Sequence, residues 1–140
     1  MLNLNCVWVW QSSEYRSLRR EYDSNLDWGQ DLDRLAIELE RRGEADATTV
    51  AYFGGAYVPY HLPKARLFDA ARTELAPGLY AVSSFLLAAG PELMLFRGDV
   101  ARAAGYERLR RTVRERGTPV GRVGYSILLY RLPEERTPLP

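Results

Sequence analysis

A single cysteine, Cys6, excludes an internal disulfide, and with a single histidine, His61, it also excludes a zinc site built from several Cys and His ligands. No apolar run reaches the roughly 18 residues that a membrane-spanning helix needs. Excess charge of one sign is missing too. With 19 basic and 18 acidic side chains the net charge is +1, without the strong basic excess of a dedicated nucleic-acid binder. Lysine is almost absent: Lys64 stands alone beside eighteen arginines. This is a compositional habit and at most weak evidence for thermal stability. Residues 1–10 are apolar but short, with no basic flank before them and no small-residue cleavage site after them, so they make a poor signal peptide. There is no internal repeat and no low-complexity segment.

What remains is ordinary globular material. The chain has 140 residues, 46% of them apolar, which suits one domain with one core. Residues 5–10, rich in Val and Trp, read as a strand. A helix is expected over 28–42, where Leu32, Leu35, Ala36 and Leu39 form one apolar stripe. Asn25 or Asp27 can cap it, Asp31 suits the positive end of its dipole, and Arg41, Arg42 and Gly43 supply the stop. Residues 48–53 read as a strand ended by Gly54-Gly55. The stretch 56–77, punctuated by Pro59, Pro63 and Pro77, is expected to hold one short helix at about 64–73, and 78–83 is a second buried strand. Gly90-Pro91 is expected to break 85–97 into a turn of helix and a loop. Residues 100–116 read as a helix with Tyr106, Leu109 and Val113 on one face, ended by Gly117, Thr118 and Pro119. Residues 123–132 read as one final strand, antiparallel if it lies at an edge, and 133–140 as a loose tail. Alternating strands and helices predict an α/β fold: a small Rossmann-like sheet of about four to five strands with helices packed on it.

The densest polar cluster is Asp23-Ser-Asn-Leu-Asp-Trp-Gly-Gln-Asp31. Asp23, Asn25 and Asp27 copy the first three ligands of a calcium loop, but Trp28 and Arg34 stand where its glycine and bidentate glutamate belong. Amides at the start of a helix can hold an anion. Carboxylates and amides beside Trp28 suit a sugar, polar groups taking the hydroxyls and the ring covering the C–H face. The plain alternative is a helix entry in which Asx side chains cap the backbone and nothing binds. Asp27 and Asp31 share a helical face, yet nothing in the sequence shows them to be a buried acid–base pair. Ser83-Ser84 lacks the nucleophile-elbow pattern, Gly54-Gly55 lacks the remainder of a phosphate loop, and no partner acid can be named for His61. Tyr52, Tyr57 and Tyr60 with Phe53 read either as an aromatic wall or, more plainly, as a strand holding Tyr52 and Phe53 that Tyr57 and Tyr60 cover from the loop. Arg108, Arg110, Arg111, Arg114 and Arg116 read as a solvated basic face, with attraction to anionic lipid as the second reading.

Four segments carry a resemblance: Asp23-Ser-Asn-Leu-Asp-Trp-Gly-Gln-Asp-Leu32, Ala51-Tyr-Phe-Gly54, Pro77-Gly-Leu-Tyr-Ala-Val-Ser83 and Val123-Gly-Tyr-Ser-Ile127. In this order they resemble the C-terminal extramembrane region of bacterial multi-spanning, polyprenyl-phosphate-dependent glycosyltransferases, akin to protein O-mannosyltransferases and aminoarabinose transferases. The first segment is long and specific, and the match covers about residues 23–132. Residues 1–22 match poorly, being either the new N-terminus of a severed tail or the product of a misread start. The resemblance implies an accessory domain on the extracytoplasmic face, beside a membrane-embedded partner and a glycan or polyprenyl-linked sugar. The catalytic acids would lie in the membrane part, so no catalytic residue, metal ligand or cofactor is assigned here. Its expected functional edge is Asp23, Asn25, Asp27, Trp28 and Gln30, joined by Tyr52 and Ser83 if the strand ends meet, since open α/β sheets present ligands at the carboxyl ends of their strands. The rival readings are a stand-alone metal-dependent enzyme using the aspartates, and an interaction module whose face is the apolar segment 85–96.

Overall fold

The computed structural model describes residues 29–72 and 74–134. The expected strand at 5–10 and most of the tail lie outside these residues. Helix α1 (Gln30–Arg42) follows the predicted stripe, with Leu32, Leu35 and Leu39 fully buried. Gly43 ends it in the left-handed conformation, its N–H returning to the Glu40 and Leu39 carbonyls. At the N-terminus the cap position is Gly29, with no side-chain cap; Asn25 and Asp27 are outside the described residues.

Helix α1 leads into β1 (Thr48–Ala51), α2 (Val58–His61), β2 (Arg66–Leu67) and β3 (Gly78–Ser83). A helical hairpin, α3 (Ser84–Phe96) and α4 (Val100–Arg116), precedes a second hairpin of β4 (Thr118–Val123) and β5 (Ile127–Leu132). The five strands form one mixed sheet in the order β2-β1-β3-β5-β4. The chain is therefore α/β, with β1 parallel to β2 and β3, and β5 antiparallel to both β3 and β4.

Alternation along the strands divides the core into two layers. Val50, Leu79, Ala81, Ile127 and Leu129 face α1 and α2. Ala51, Tyr80, Val82 and Leu132 face α3 and α4 through Leu86, Leu109 and Val113. Strand β3 carries side chains from Leu79 to Val82 that are buried on both faces, as a strand covered on both sides should.

Four expectations are corrected. The short helix is α2, not 64–73. Pro59 is pre-set for a first helical turn and Pro63 stops the helix, leaving Arg66 and Leu67 to pair with β1. The segment 85–97 is one continuous helix with Pro91 inside it. An interior proline costs about 3 kcal/mol, and burying Leu86, Gly90, Pro91 and Met94 against α4 outweighs that. Residues 123–132, expected as one strand, hold the end of β4, a turn and β5, and the hairpin begins at Thr118. Pro119 and a register irregularity between Pro119 and Gly121 are tolerated because β4 is an edge strand. The antiparallel strand β5 lies inside the sheet, and β4 takes the edge.

The basic face of α4 also needs revision at one position. Arg110 is buried, bonded to Glu92 of α3 at 3.1 Å and to Glu107. Burial alone would lower its pKa; the hydrogen bonds and charges of Glu92 and then Glu107 outweigh that and raise it. On the exposed side of α1, hydrogen bonds from Arg41 and then Arg42 hold the Glu38 carboxyl down to about 2 from its usual 4.5. A depressed carboxyl adds stability above its unfolded pKa and loses it as pH falls through the folded value. Glu38→Gln is therefore expected to flatten the acid limb of a stability profile between pH 4.5 and about 2. The effect should be small and should vanish in high salt, because the pair is exposed. Urea midpoints at stepped pH measure it.

Candidate functional site

The first turn of α1 lies against the carboxyl ends of β1 and β3. Asp31 organises this end of the sheet. Its side chain is buried, and one carboxylate oxygen accepts from the Tyr125 N–H (3.0 Å), the Ser126 N–H (2.9 Å) and the Ser126 hydroxyl (2.7 Å). Its other oxygen pairs with Arg34 at 3.2 Å. Asp31 is thus more than a helix-dipole partner: it clamps the turn between β4 and β5 from 94 residues away. Gly124 opens that turn at φ 56°, and a Cβ there would fall 1.9 Å from the Asp31 carboxylate.

Ser126 continues the connection. Its carbonyl accepts the Ser84 N–H at 2.7 Å and the Ser84 hydroxyl at 3.1 Å. The start of α3, where a doubly wound fold would receive a phosphate, is thus met by the protein's own turn. Ser83 is buried, its hydroxyl accepting the Phe53 N–H at 2.8 Å and tying the end of β1 to the end of β3. Tyr52 is half-buried on the α1 side of the sheet. Phe53 turns to the other side and stacks on Phe85, ring centroids 4.4 Å apart. Gln30 is exposed as the first residue of α1. Asp23, Asn25, Asp27 and Trp28 lie outside the described residues.

The structure supplies the acid that could not be named for His61. Its Nδ1 lies 2.6 Å from an Asp33 carboxylate oxygen, joining α2 to the first turn of α1. Asp33 is mostly exposed and His61 mostly buried. Packing between the two helices is close: a Cβ on Gly29 would sit 2.8 Å from the Ala56 Cβ and 3.3 Å from His61 Nε2. Nothing in a linear reading marks this pair, because Asp33 and His61 are 28 residues apart.

Tyr57 and Tyr60 do not cover the strand as expected. They stand out at 73% and 82% exposure, and Tyr125 on the clamped turn reaches 72%. All three sit on elements joined to the first turn of α1, Tyr57 and Tyr60 through the Asp33–His61 pair and Tyr125 through Asp31, and the exposed Gln30 opens that turn. Among the described residues, no three His, Cys, Asp or Glu side chains are grouped to hold a metal ion, and no helix is long and apolar enough to cross a membrane. No protein-family model, curated protein or solved structure matches the chain.

Proposed function

We propose that this chain is a non-catalytic accessory domain that positions a glycan, related to the extramembrane tail of polyprenyl-phosphate-dependent glycosyltransferases. The observation that carries the reading is the exposure of Tyr57, Tyr60, Tyr125 and Gln30 on segments that Asp31 and Asp33 tie to the first turn of α1, here called the rim. The four resembling segments are tied together at this end of the sheet: Asp31 bonds Ser126, Ser126 bonds Ser84 next to Ser83, and Ser83 bonds Phe53. Exposed aromatic faces beside amide and carboxylate groups match the mixed surface of a sugar, while Asp31, Ser83 and Ser84 are committed to internal hydrogen bonds. Such a domain would sit on the extracytoplasmic face beside a membrane-embedded partner.

The test is a titration of the isotope-labelled chain with neutral and acidic oligosaccharides and a soluble short-chain polyprenyl phosphate, followed by amide chemical shifts. Shifts are expected to concentrate around Gln30, Tyr57, Tyr60 and Tyr125. Tyr60→Ala is expected to weaken binding about tenfold, the loss of one aromatic contact worth about 1.4 kcal/mol. Turnover of a glycoside or phosphoester by the chain alone, lost on replacing Asp27 or His61, would overturn the proposal in favour of a small enzyme.

A further inference from the structure

The corner between α3 and α4 carries three large apolar side chains in the open: Leu95 at 55%, Phe96 at 88% and Val100 at 68% exposure. Scattered surface hydrophobics are normal, but neighbouring ones at a protruding corner mark a contact surface. The connection between the helices is only residues 97–99, so the three side chains crown the tip of an antiparallel hairpin. A convex tip does not enclose a peptide or a small ligand; it enters a yielding surface.

Charge selects that surface. The hairpin, residues 84–116, holds seven arginines against four carboxylates, whereas the whole chain is almost balanced at +1. Of the four, Glu92 and Glu107 are bonded to Arg110, and Asp99 caps α4 by accepting the Arg102 N–H at 3.0 Å and pairs at 3.5 Å with the exposed Arg102 guanidinium, a surface pair that a lipid phosphate can replace. Arg97 and Arg102 lie exposed on either side of the tip. Phe and Leu at the point, with guanidinium groups behind them, match the interfacial zone of an anionic bilayer.

We infer that the α3–α4 corner docks on anionic phospholipid, Leu95, Phe96 and Val100 entering the headgroup region while Arg97 and Arg102 meet the phosphates. The inference does not depend on glycan binding at the rim.

Sedimentation of the full chain with phosphatidylglycerol-rich vesicles tests it, with phosphatidylcholine vesicles as the neutral control. Binding is expected to favour the anionic vesicles and to fall several-fold as salt rises from about 50 to about 500 mM. Leu95→Ser with Phe96→Ser should reduce binding at least tenfold, and Arg97→Gln with Arg102→Gln should remove most of its salt dependence. All four side chains are exposed, so thermal unfolding of both double variants should match that of the parent. Failure to bind anionic vesicles, equal binding to both lipids, or undiminished binding by the Ser variant would overturn the inference. A concentration-dependent dimer that the Ser variant abolishes would overturn it as well, assigning the tip to a second copy of the chain.

Discussion

Replacing Asp31 by alanine is expected to lower the unfolding free energy by about 3–4 kcal/mol, and Asp31→Asn by about 2 kcal/mol. The carboxylate holds four donors, three of them at the turn between β4 and β5. Alanine leaves the Tyr125 and Ser126 amides without that acceptor in a part-buried site. Asparagine keeps one acceptor oxygen for the turn but points an NH₂ at Arg34, so a charge-assisted contact becomes a donor facing a donor. Urea unfolding with an unchanged slope measures the loss. Amide exchange at Tyr125 and Ser126 should accelerate more than exchange in β3, because the turn loosens before the sheet does. Equal stability of Asp31→Ala and the parent would mean that the clamp contributes nothing, and the rim built on it would lose its support. Gly124→Ala should act in the same direction, through both its positive φ and its collision with the same carboxylate.

The second large effect is a contrast between two glycines inside helices. Helix propensity alone favours alanine over glycine by about 1 kcal/mol, so Gly105→Ala would be stabilising on an isolated helix. At Gly90 a Cβ meets Leu86 at 3.4 Å and Tyr106 at 3.6 Å, which is ordinary contact, but it would also crowd the Cδ of Pro91, the next residue of the helix, which offsets the propensity gain and leaves little net change expected. At Gly105 the Cβ would lie 1.8 Å from the Ala70 carbonyl oxygen and 2.7 Å from its Cα. Backbone cannot swing aside as a side chain does. Either α4 moves off the 68–72 segment or the segment is displaced, at a cost of about 3 kcal/mol or more. For a domain of this size the expected result is a melting temperature little changed in Gly90→Ala and lowered by about 10 °C in Gly105→Ala. An unchanged or raised melting temperature in Gly105→Ala would show that α4 and the 68–72 segment are not packed this closely in solution.

These two cases also mark how far a linear reading reaches. The apolar stripe of α1, the uninterrupted apolar run of β3 and the stop at Gly43 are local patterns, and the structure keeps them at nearly the expected boundaries. The edge strand β4 was not legible because Pro119 and Gly121 interrupt its β-branched Thr118, Val120 and Val123; pairing with β5 makes it a strand. Pro91 and Gly90 read as a break, yet burial against α4 holds the helix through them. In the candidate site, Gln30, Tyr52 and Ser83 were picked out by position. Their environments diverge: Gln30 is open, Tyr52 half-buried, and Ser83 spends its hydroxyl on Phe53.

Composition and periodicity were enough for the fold class, the two long helices and the central strands, because burial period and capping act within one or two turns of chain. Partners across the molecule were not accessible that way. Asp31 with Ser126, Asp33 with His61, Arg110 with Glu92 and Gly105 with Ala70 are separated by 18 to 95 residues. Each pairing depends on how the helices lie on the sheet, a geometry set by the summed packing of both core layers and written in no single stretch of the chain.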